Sequence, residues 1–274
     1  MNTNVKTNFS AYDKLKLARA PERPHGSDFV KALFTGRVEL CGDRRYADDP
    51  AIMAGIGYLG DTPVTYIAID KGRELADRMR KHFGCPMPEG YRKSLRLMKQ
   101  AEKFGRPVIC IVDTLGAYPG AEGEERGQGQ AIAENLYEMM GLRTPIVSVV
   151  IGEGGSGGAL ALAVADKVYM LENAVYSVIT PDGCASIIWK DSSRVEEAVD
   201  CLHITAEDMV NFGVAEGIIH EDFENFDKMC ENLKSILISD IRTLSSLSES
   251  HLLENRYERF RKIGIYEENG SVKK

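Results

Sequence analysis

The feature that most constrains this chain is the glycine run GEGGSGG at residues 152–158, with five glycines among seven residues. The run lies between an apolar segment typical of a buried strand, residues 145–151, and a helix-like segment, residues 158–165. Glycine loses much backbone entropy on folding, so this density needs a physical reason. Three reasons are available: a tight turn with positive φ, a close approach of helix and strand, or a row of backbone N–H groups directed at an anion.

The run also matches G-x-S-x-G at residues 154–158, the motif that places a serine nucleophile on a strand-to-helix turn. Ser156 would then act in a serine hydrolase or peptidase, with a histidine base and an acid from later in the chain. Residues of these types are present: His203, His220 and His251, with Asp182 or Asp208 before them. No HGGG-type loop precedes the motif, and a serine between glycines also suits a plain turn. The hydrolase alternative therefore stays open at this point.

A second glycine-rich loop, residues 114–128, follows the strand-like run at residues 107–113 and leads into a helix predicted over residues 130–140. Both loops leave a strand and enter a helix. They are therefore expected to face one pocket and to supply N–H groups to a developing oxyanion. The charges at residues 124–126 fit either a local ion pair or a contact with a partner.

Basic residues gather in two groups, residues 71–81 and 92–99. In the second group they alternate with an apolar face, which predicts a helix over residues 91–104 with a solvent-exposed basic stripe. That apolar face comprises Tyr91, Leu95, Met98 and Ala101. The alternative for both groups is contact with an anionic ligand, such as nucleotide phosphates, or with an acidic partner.

Strand-like and helix-like segments alternate through most of the chain, which predicts an α/β fold. The short strands expected at residues 167–171 and 175–180 suggest a repeated strand–strand–helix unit. A helix is expected to begin at Thr205 with a capping box completed by Asp208, and a closing helix spans residues 227–247. We divide the chain into an N-terminal helical arm (1–50), a main domain (51–250) and a charged, partly loose C-terminal tail (251–274).

Composition excludes several classes of function. The net charge is −7, which lacks the strongly basic footprint of a nucleic-acid-binding protein. No apolar run approaches the roughly 20 residues of a membrane helix, and the N-terminus has no secretory signal, so a cytoplasmic location is expected. None of the six cysteines forms a C-x-x-C pair, so no metal site is expected in this chain. No Lys-Ser or Lys-Thr follows the glycines, which excludes a P-loop.

Several long segments resemble the alpha subunit of acetyl-CoA carboxylase carboxyltransferase, a member of the crotonase-like superfamily. The resemblance is nearly continuous over residues 16–191, about two-thirds of the chain. The segments that carry it are LARAPERP, GRVELCGDRRYADDPAI, HFGCPMPEGYRKSLRLMKQAEKFGRPVICIVDTLGAYPG, EERGQGQAIAENL and GEGGSGGALALAVADKVYMLENAVYSVITPDGCASIIWKD.

The resemblance implies a crotonase-like spiral of strand–strand–helix repeats with peripheral terminal helices. It implies a beta subunit that carries a zinc ribbon and most of the acetyl-CoA site, in an assembly of two alpha and two beta chains. The biotin carboxyl carrier protein would bring carboxybiotin, and biotin carboxylase would complete the complex, at which level ATP binding is expected. The implied reaction moves the carboxyl group from carboxybiotin to acetyl-CoA, giving malonyl-CoA in the committed step of fatty-acid synthesis.

The resemblance also implies roles for site residues. Backbone N–H groups of Gly157 and Gly158 would form an oxyanion hole for the biotin ureido oxygen, and Gly154 and Gly155 would shape the turn. Gly116 and Ala117 would line the same pocket, and Ser156 would need no catalytic triad. Contacts with substrate or partner are expected from the remaining polar residues of the site: Lys71, Arg73, Ser156, Tyr118 and Arg126.

The chain departs from the family pattern at three places. Leu115 stands where the family usually has proline, and TPDG at residues 180–183 replaces S-P-E-G. Neither change removes a backbone donor. After residue 219 the sequence HEDFENF replaces E-P-L-G-G-A-H, which concerns C-terminal contacts rather than the glycine run.

Overall fold

The computed structural model describes residues 9–264, 266–268 and 271–273. The strands are β1 Thr35–Glu39, β2 Ile52–Leu59, β3 Thr62–Ile69, β4 Val108–Thr114, β5 Ile146–Gly155, β6 Lys167–Leu171, β7 Val175–Ser177, β8 Gly217–Ile219, β9 Tyr266–Glu268 and β10 Ser271–Lys273. The α-helices are α1 Ala11–Ala18, α2 Gly26–Leu33, α3 Leu75–Arg80, α4 Pro88–Lys103, α5 Ala121–Glu125, α6 Gln128–Gly141, α7 Ser156–Leu160, α8 Pro181–Trp189, α9 Val195–Leu202, α10 Ala206–Asn211, α11 Phe226–Ser245 and α12 Glu249–Arg261. Short 3-10 helices lie at His82–Gly84 and Ser192–Arg194.

One mixed sheet organises these elements, in the order β1-β2-β3-β4-β5-β6-β8, with β7 also paired to β5. β1, β2 and β3 are joined antiparallel, and the strands from β3 onward are parallel to their neighbours. β4 is buried along its whole length because helices cover both faces of the parallel part, which explains its unbroken apolar sequence. The predicted α/β class is confirmed.

The predicted strand pair at residues 167–171 and 175–180 has a different arrangement from a hairpin. β6 and β7 both pair with β5, at successive positions along its length. β5 is ten residues long and therefore has room for two short parallel neighbours on one edge. The helix predicted at residues 158–165 is observed as α7, which is shorter. It begins at Ser156 and ends at Leu160.

Helix α4 matches its predicted pattern, because the apolar face expected from spacing is buried against the sheet and α6. The capping box of α10 is also as predicted, since the Thr205 hydroxyl accepts from the Asp208 N–H and the Asp208 carboxylate accepts from the Thr205 N–H. Among the described residues, no helix combines the length and apolar character needed to cross a bilayer.

The chain termini pack more closely than their polarity suggested. In α2, Phe29 and Leu33 are fully buried in the main core, and β1 extends the sheet, although both precede residue 50. The boundary proposed at residue 50 stays a prediction. The expectation of a loose tail is wrong for residues 251–261, because they belong to α12. There Arg256 is fully buried and donates to Asp166.

Candidate functional site

Two strand-to-helix turns lie against each other at one edge of the sheet. β4 runs into residues 115–118, and β5 ends at Gly155, where α7 begins. Because β4 and β5 are parallel neighbours, both turns leave the sheet at its carboxyl edge, where α/β proteins commonly bind ligands.

The two turns touch backbone to backbone. A Cβ added to Gly155 would lie 2.9 Å from the Gly116 nitrogen and still closer to the Leu115 carbonyl. A Cβ added to Gly158 would lie 2.6 Å from the Gly116 carbonyl carbon and 2.8 Å from Tyr91 Oη. Real Cβ atoms almost never come within 3.0 Å of such neighbours, so glycine at these two positions is what allows the turns to meet.

Close packing, rather than positive φ, explains four of the five glycines in the run. None of its five glycines has a positive φ, whereas Ser156 has a φ of 53°. A Cβ at Gly152 would lie 2.8 Å from Asp113 Cγ, and one at Gly154 would lie 2.7 Å from the Tyr176 ring. Of the three reasons offered by the sequence, the tight turn with positive φ is therefore wrong for these glycines.

The first turn of α7 also presents backbone donors. The N–H groups of Gly157 and Gly158 come too early in the helix to have intrahelical acceptors, and no other residue that the structure describes accepts from them. The N–H group of Gly116 differs, because it donates to Thr114 Oγ1 at 3.0 Å. Gly116 has a φ of 151°, which favours glycine, so it shapes its turn. It does not offer a free N–H donor to a ligand.

Ser156 borders a mostly apolar cavity of about 400 Å³, together with Gly157. Within the described ranges, no histidine lines this cavity. His203 lies 3.8 Å from Asp208, and His220 pairs with Glu172 at 2.6 Å. The serine hydrolase alternative thus finds no support in the geometry around Ser156.

Lys71 is mostly buried beside two carboxylates. Its Nζ lies 2.7 Å from Asp113 Oδ1 and 3.1 Å from Glu153 Oε2. Burial by itself lowers the pKa of Lys71, but the two carboxylates outweigh it and raise the pKa above its ordinary value. The positive charge of Lys71 is therefore used within the chain, where it contacts Asp113 and Glu153.

The other polar residues predicted for the site are spread around it. Arg73 is exposed and pairs with Asp28. The Tyr118 N–H donates to the Pro86 carbonyl at 3.0 Å, and its ring packs on His82. Arg126 is engaged by Glu89 through two hydrogen bonds and lies over the Tyr46 ring. Tyr118 and Arg126 thus have partners inside the chain, and a contact of either with substrate or a partner stays a prediction.

The expected basic stripe on α4 is only partly exposed. Lys99 is at the surface, as predicted. Lys93 is fully buried, with its Nζ 2.7 Å from Asp48 and 2.8 Å from the Asp49 carbonyl. The alternation of charged and apolar residues in α4 could not predict the burial of Lys93. That burial results from the turn before β2, in which Asp48 and Asp49 cover the helix.

A charged cavity of about 500 Å³ lies beside the two turns, and Leu115 and Glu153 form part of its wall. Its cationic lining residues come from the α1–α2 region and from the segment after β3: Arg19, Arg23, Lys71, Arg73 and Arg78. Several of these charges are neutralised locally. Arg19, for example, contacts both Glu153 at 2.8 Å and Asp182 at 3.1 Å.

Sequence reasoning missed three charged residues at the site, namely Asp113, Glu153 and Arg19. Asp113 ends the apolar strand β4, and Glu153 is the one charged residue inside the glycine run. Both positions could have been recognised from the sequence as candidate site residues, because a charged residue at the end of a buried parallel strand lies at the edge of the sheet where ligands bind. Arg19 had no local signal, since only folding brings α1 to β5.

Comparison with known proteins agrees with this architecture. The acetyl-CoA carboxylase carboxyl transferase subunit alpha of Ruminiclostridium cellulolyticum is 53% identical over 256 residues, covering 93% of this chain and 98% of that protein. A family model described as acetyl co-enzyme A carboxylase carboxyltransferase-like matches residues 1–264. The chain belongs to this family. It is an alpha subunit of the acetyl-CoA carboxylase carboxyltransferase type and a component of a transferase.

Other members of the alpha-subunit family are similarly close. The Listeria monocytogenes serotype 4a protein is 48% identical over 271 residues, covering 97% of this chain and 85% of that protein. A Natranaerobius thermophilus protein named for subunits beta and alpha together is 50% identical over 265 residues, and this chain spans 44% of it. The alpha subunit is thus one part of a multi-subunit carboxyltransferase.

Solved structures share the fold at low sequence identity. A transcarboxylase 12S structure with hydrolysed methylmalonyl-coenzyme A aligns with a TM-score of 0.68 at 17% identity, covering 90% of this chain and 47% of that one. A Pseudomonas malonate decarboxylase hetero-tetramer in complex with coenzyme A aligns with a TM-score of 0.64 at 16% identity, covering 86% and 94%. These likenesses confirm the crotonase-like fold that the resemblance implied for this alpha subunit.

Proposed function

We propose that this chain supplies the biotin-side half of a carboxyltransferase site, which a beta subunit completes with the acetyl-CoA side. The observation that carries this proposal is the contact between the two turns at the carboxyl edge of β4 and β5. It brings Gly158, whose N–H group has no acceptor among the described residues, next to the backbone of Gly116 and Ala117, and Gly157 precedes it in the same turn.

The donor set fits the group that would be held there. Carboxybiotin, brought by the carrier protein, would supply the carboxyl group, and the ureido oxygen that would carry negative charge is the atom that Gly157 and Gly158 would hold. Backbone N–H groups at the start of α7 are preorganised donors for such an oxygen, because the first turn of a helix has no intrahelical acceptors for them. Such donors can contribute about 10²- to 10³-fold to the rate.

The side chains around the turn support a role in shaping rather than in nucleophilic attack. Ser156 and Gly157 border a mostly apolar cavity, which suits the thioether ring of biotin. Gly155 lets β5 and the Gly116 turn come close enough to share one pocket, and Gly154 leaves room for the Tyr176 ring. In this proposal the chain holds and polarises the biotin group, and no side chain forms a covalent bond with it.

The finer assignments belong to the same proposal. The acceptor is acetyl-CoA and the product malonyl-CoA; the partners are the beta subunit, the biotin carboxyl carrier protein and biotin carboxylase, with two alpha and two beta chains assembled. A zinc ribbon on the beta subunit, the absence of a metal in this chain and a cytoplasmic location remain predictions from the sequence. The relative that unites beta and alpha parts supports the beta partner.

The experiment is an assay of malonyl-CoA formation from acetyl-CoA and carboxybiotin, with this chain alone, the beta subunit alone and the two together. We expect turnover only when both are present, because the site needs both halves. Full activity from this chain alone would refute the shared site. No activity from a correctly assembled pair would refute the assigned reaction.

A further inference from the structure

The pairing between β4 and β5 is irregular just before the two turns. Val112 on β4 lies opposite Val150 on β5, and Thr114 lies opposite Gly154. β5 therefore advances four residues while β4 advances two, and the extra residues face Asp113. Such a bulge interrupts the ladder of hydrogen bonds at the point that sets the separation of the turns.

The Asp113 carboxylate fills this interruption. Its Oδ1 accepts the Glu153 N–H at 2.8 Å, which replaces a lost ladder bond. Gly152 leaves room for the carboxylate, since a Cβ there would lie 2.8 Å from Asp113 Cγ. The two strands are thus joined across the bulge by a side chain that is almost fully buried.

A buried carboxylate in this position needs a counter-charge. Lys71 provides it, and the same ammonium contacts the Glu153 side chain. Arg19 approaches Glu153 from α1, with its Nε 2.8 Å from Oε1. Two cations and two carboxylates therefore meet here, and Arg19 also contacts Asp182 at 3.1 Å. The four residues come from the end of α1, the segment after β3, and the ends of β4 and β5.

The geometry points to a charge clamp, made of Lys71, Asp113, Glu153 and Arg19, that sets the spacing between the Gly116 turn and the Gly155–Gly158 turn. Lys71 is then a positioning residue for carboxyl transfer rather than a direct contact for phosphate. This inference rests on the proposed function, because it assigns Lys71 a role at the same two turns.

The first test is Lys71→Met in the assembled complex of alpha and beta subunits. The substitution keeps the length of the side chain and removes its charge. Displacing the turns by a fraction of an ångström should lower kcat about 10- to 100-fold, with KM for acetyl-CoA and for free carboxybiotin within about twofold.

Lys81→Met is the matched control. Lys81 is likewise a mostly buried lysine between two carboxylates, with 12% of its side chain exposed against 14% for Lys71. Its Nζ lies 2.6 Å from Asp70 and 2.9 Å from Asp77, and it contacts neither turn. We expect Lys81→Met to lower the thermal midpoint of unfolding while the folded complex keeps kcat within about twofold. An equal loss of kcat in both variants would show a general effect of destabilisation and would overturn the proposal.

A double variant separates positioning from substrate contact. Lys71→Met with Asp113→Asn removes one positive and one negative charge, leaves Glu153 paired with Arg19, and keeps an oxygen at position 113 that can accept the Glu153 N–H. A clamp predicts recovery of kcat to within about fivefold of the parent. A Lys71 that touches an anionic substrate predicts no recovery, and that result would overturn the proposal.

Should Lys71→Met fail to assemble, Asp113→Asn tests the same clamp with a side chain of equal size. We expect kcat to fall at least fivefold with KM unchanged, and a kcat within twofold of the parent would overturn the proposal. If the proposed function itself were wrong, the parent complex would form no malonyl-CoA, whereas failure of the clamp alone would leave the parent complex active.

Discussion

Substitution of Gly158 by alanine tests the contact between the two turns most directly. The new Cβ would lie 2.6 Å from the Gly116 carbonyl carbon, whereas ordinary contact begins at 3.4 Å. One turn must therefore move by roughly 1 Å, because the atoms that it meets on Gly116 and Ala117 belong to the backbone. A misplacement of about 1 Å can cost about 10²-fold in rate, or about 3 kcal/mol of transition-state stabilisation.

The assay is malonyl-CoA formation by the assembled complex, with the folded fraction checked by thermal unfolding. Gly158→Ala should lose about 100-fold in kcat while it keeps its backbone N–H, so any loss comes from geometry. Gly157→Ala should lose less than about tenfold, because its Cβ would meet only Ile132 Cγ2, at 3.5 Å.

Gly129→Ala is the control for inserting a methyl group nearby. Gly129 lies in α6 with nothing within 4 Å of an added Cβ, so turnover should be unchanged. Stability should rise by about 0.5–1 kcal/mol, since alanine is the better helix former. If folded Gly158→Ala turned over within threefold of the parent, the contact between the turns would not be what organises the site.

Three further outcomes are expected. Ser156→Ala should keep carboxyl transfer within about tenfold, and a loss above about a hundredfold would favour a nucleophilic serine. Tyr91→Phe should raise the free energy of unfolding in urea by about 1 kcal/mol, because the buried Tyr91 hydroxyl has no partner among the described residues; a clear loss of stability would contradict this. Burial alone would raise the pKa of Asp70, but hydrogen bonds from Lys81 and Ser27 lower it to about 2. Ionised Asp70 therefore stabilises the folded state at pH values above its unfolded pKa, which is near 3.8. Asp70→Asn should thus cost about 2 kcal/mol at pH 7, and urea titrations should show this difference shrinking as pH falls from about 4 toward 2; a difference that is constant with pH would refute the assignment.

Much of the central fold could be predicted because its signals are local. The unbroken apolar run of β4 reflects burial on both faces, and the spacing of Tyr91, Leu95 and Met98 reflects one face of α4. The glycine run marked the strand-to-helix turn at the end of β5 for the same reason, since a dense cluster of glycines is unfavourable unless packing requires it.

Partner choice between distant side chains could not be predicted. Lys71 and Lys93 belonged to two similar basic groups, and only the fold shows that both ammonium groups are buried against carboxylates. Arg256 lay in a segment that composition marked as loose, yet its guanidinium meets Asp166 and three carbonyls. Such pairings depend on contacts between residues far apart in the chain. A single sequence contains no periodic pattern that indicates which distant residues will meet.

The sequence by itself determined that a strand, a glycine turn and a helix follow one another at residues 145–160, because backbone preference and apolar spacing are local properties. The tertiary structure alone decided what each glycine does. Gly155 and Gly158 admit a second turn from 40 residues earlier in the chain, and the left-handed backbone falls on Ser156 instead of a glycine. Close approach of two backbones is a property of the folded chain, so only packing could distinguish it from a plain turn.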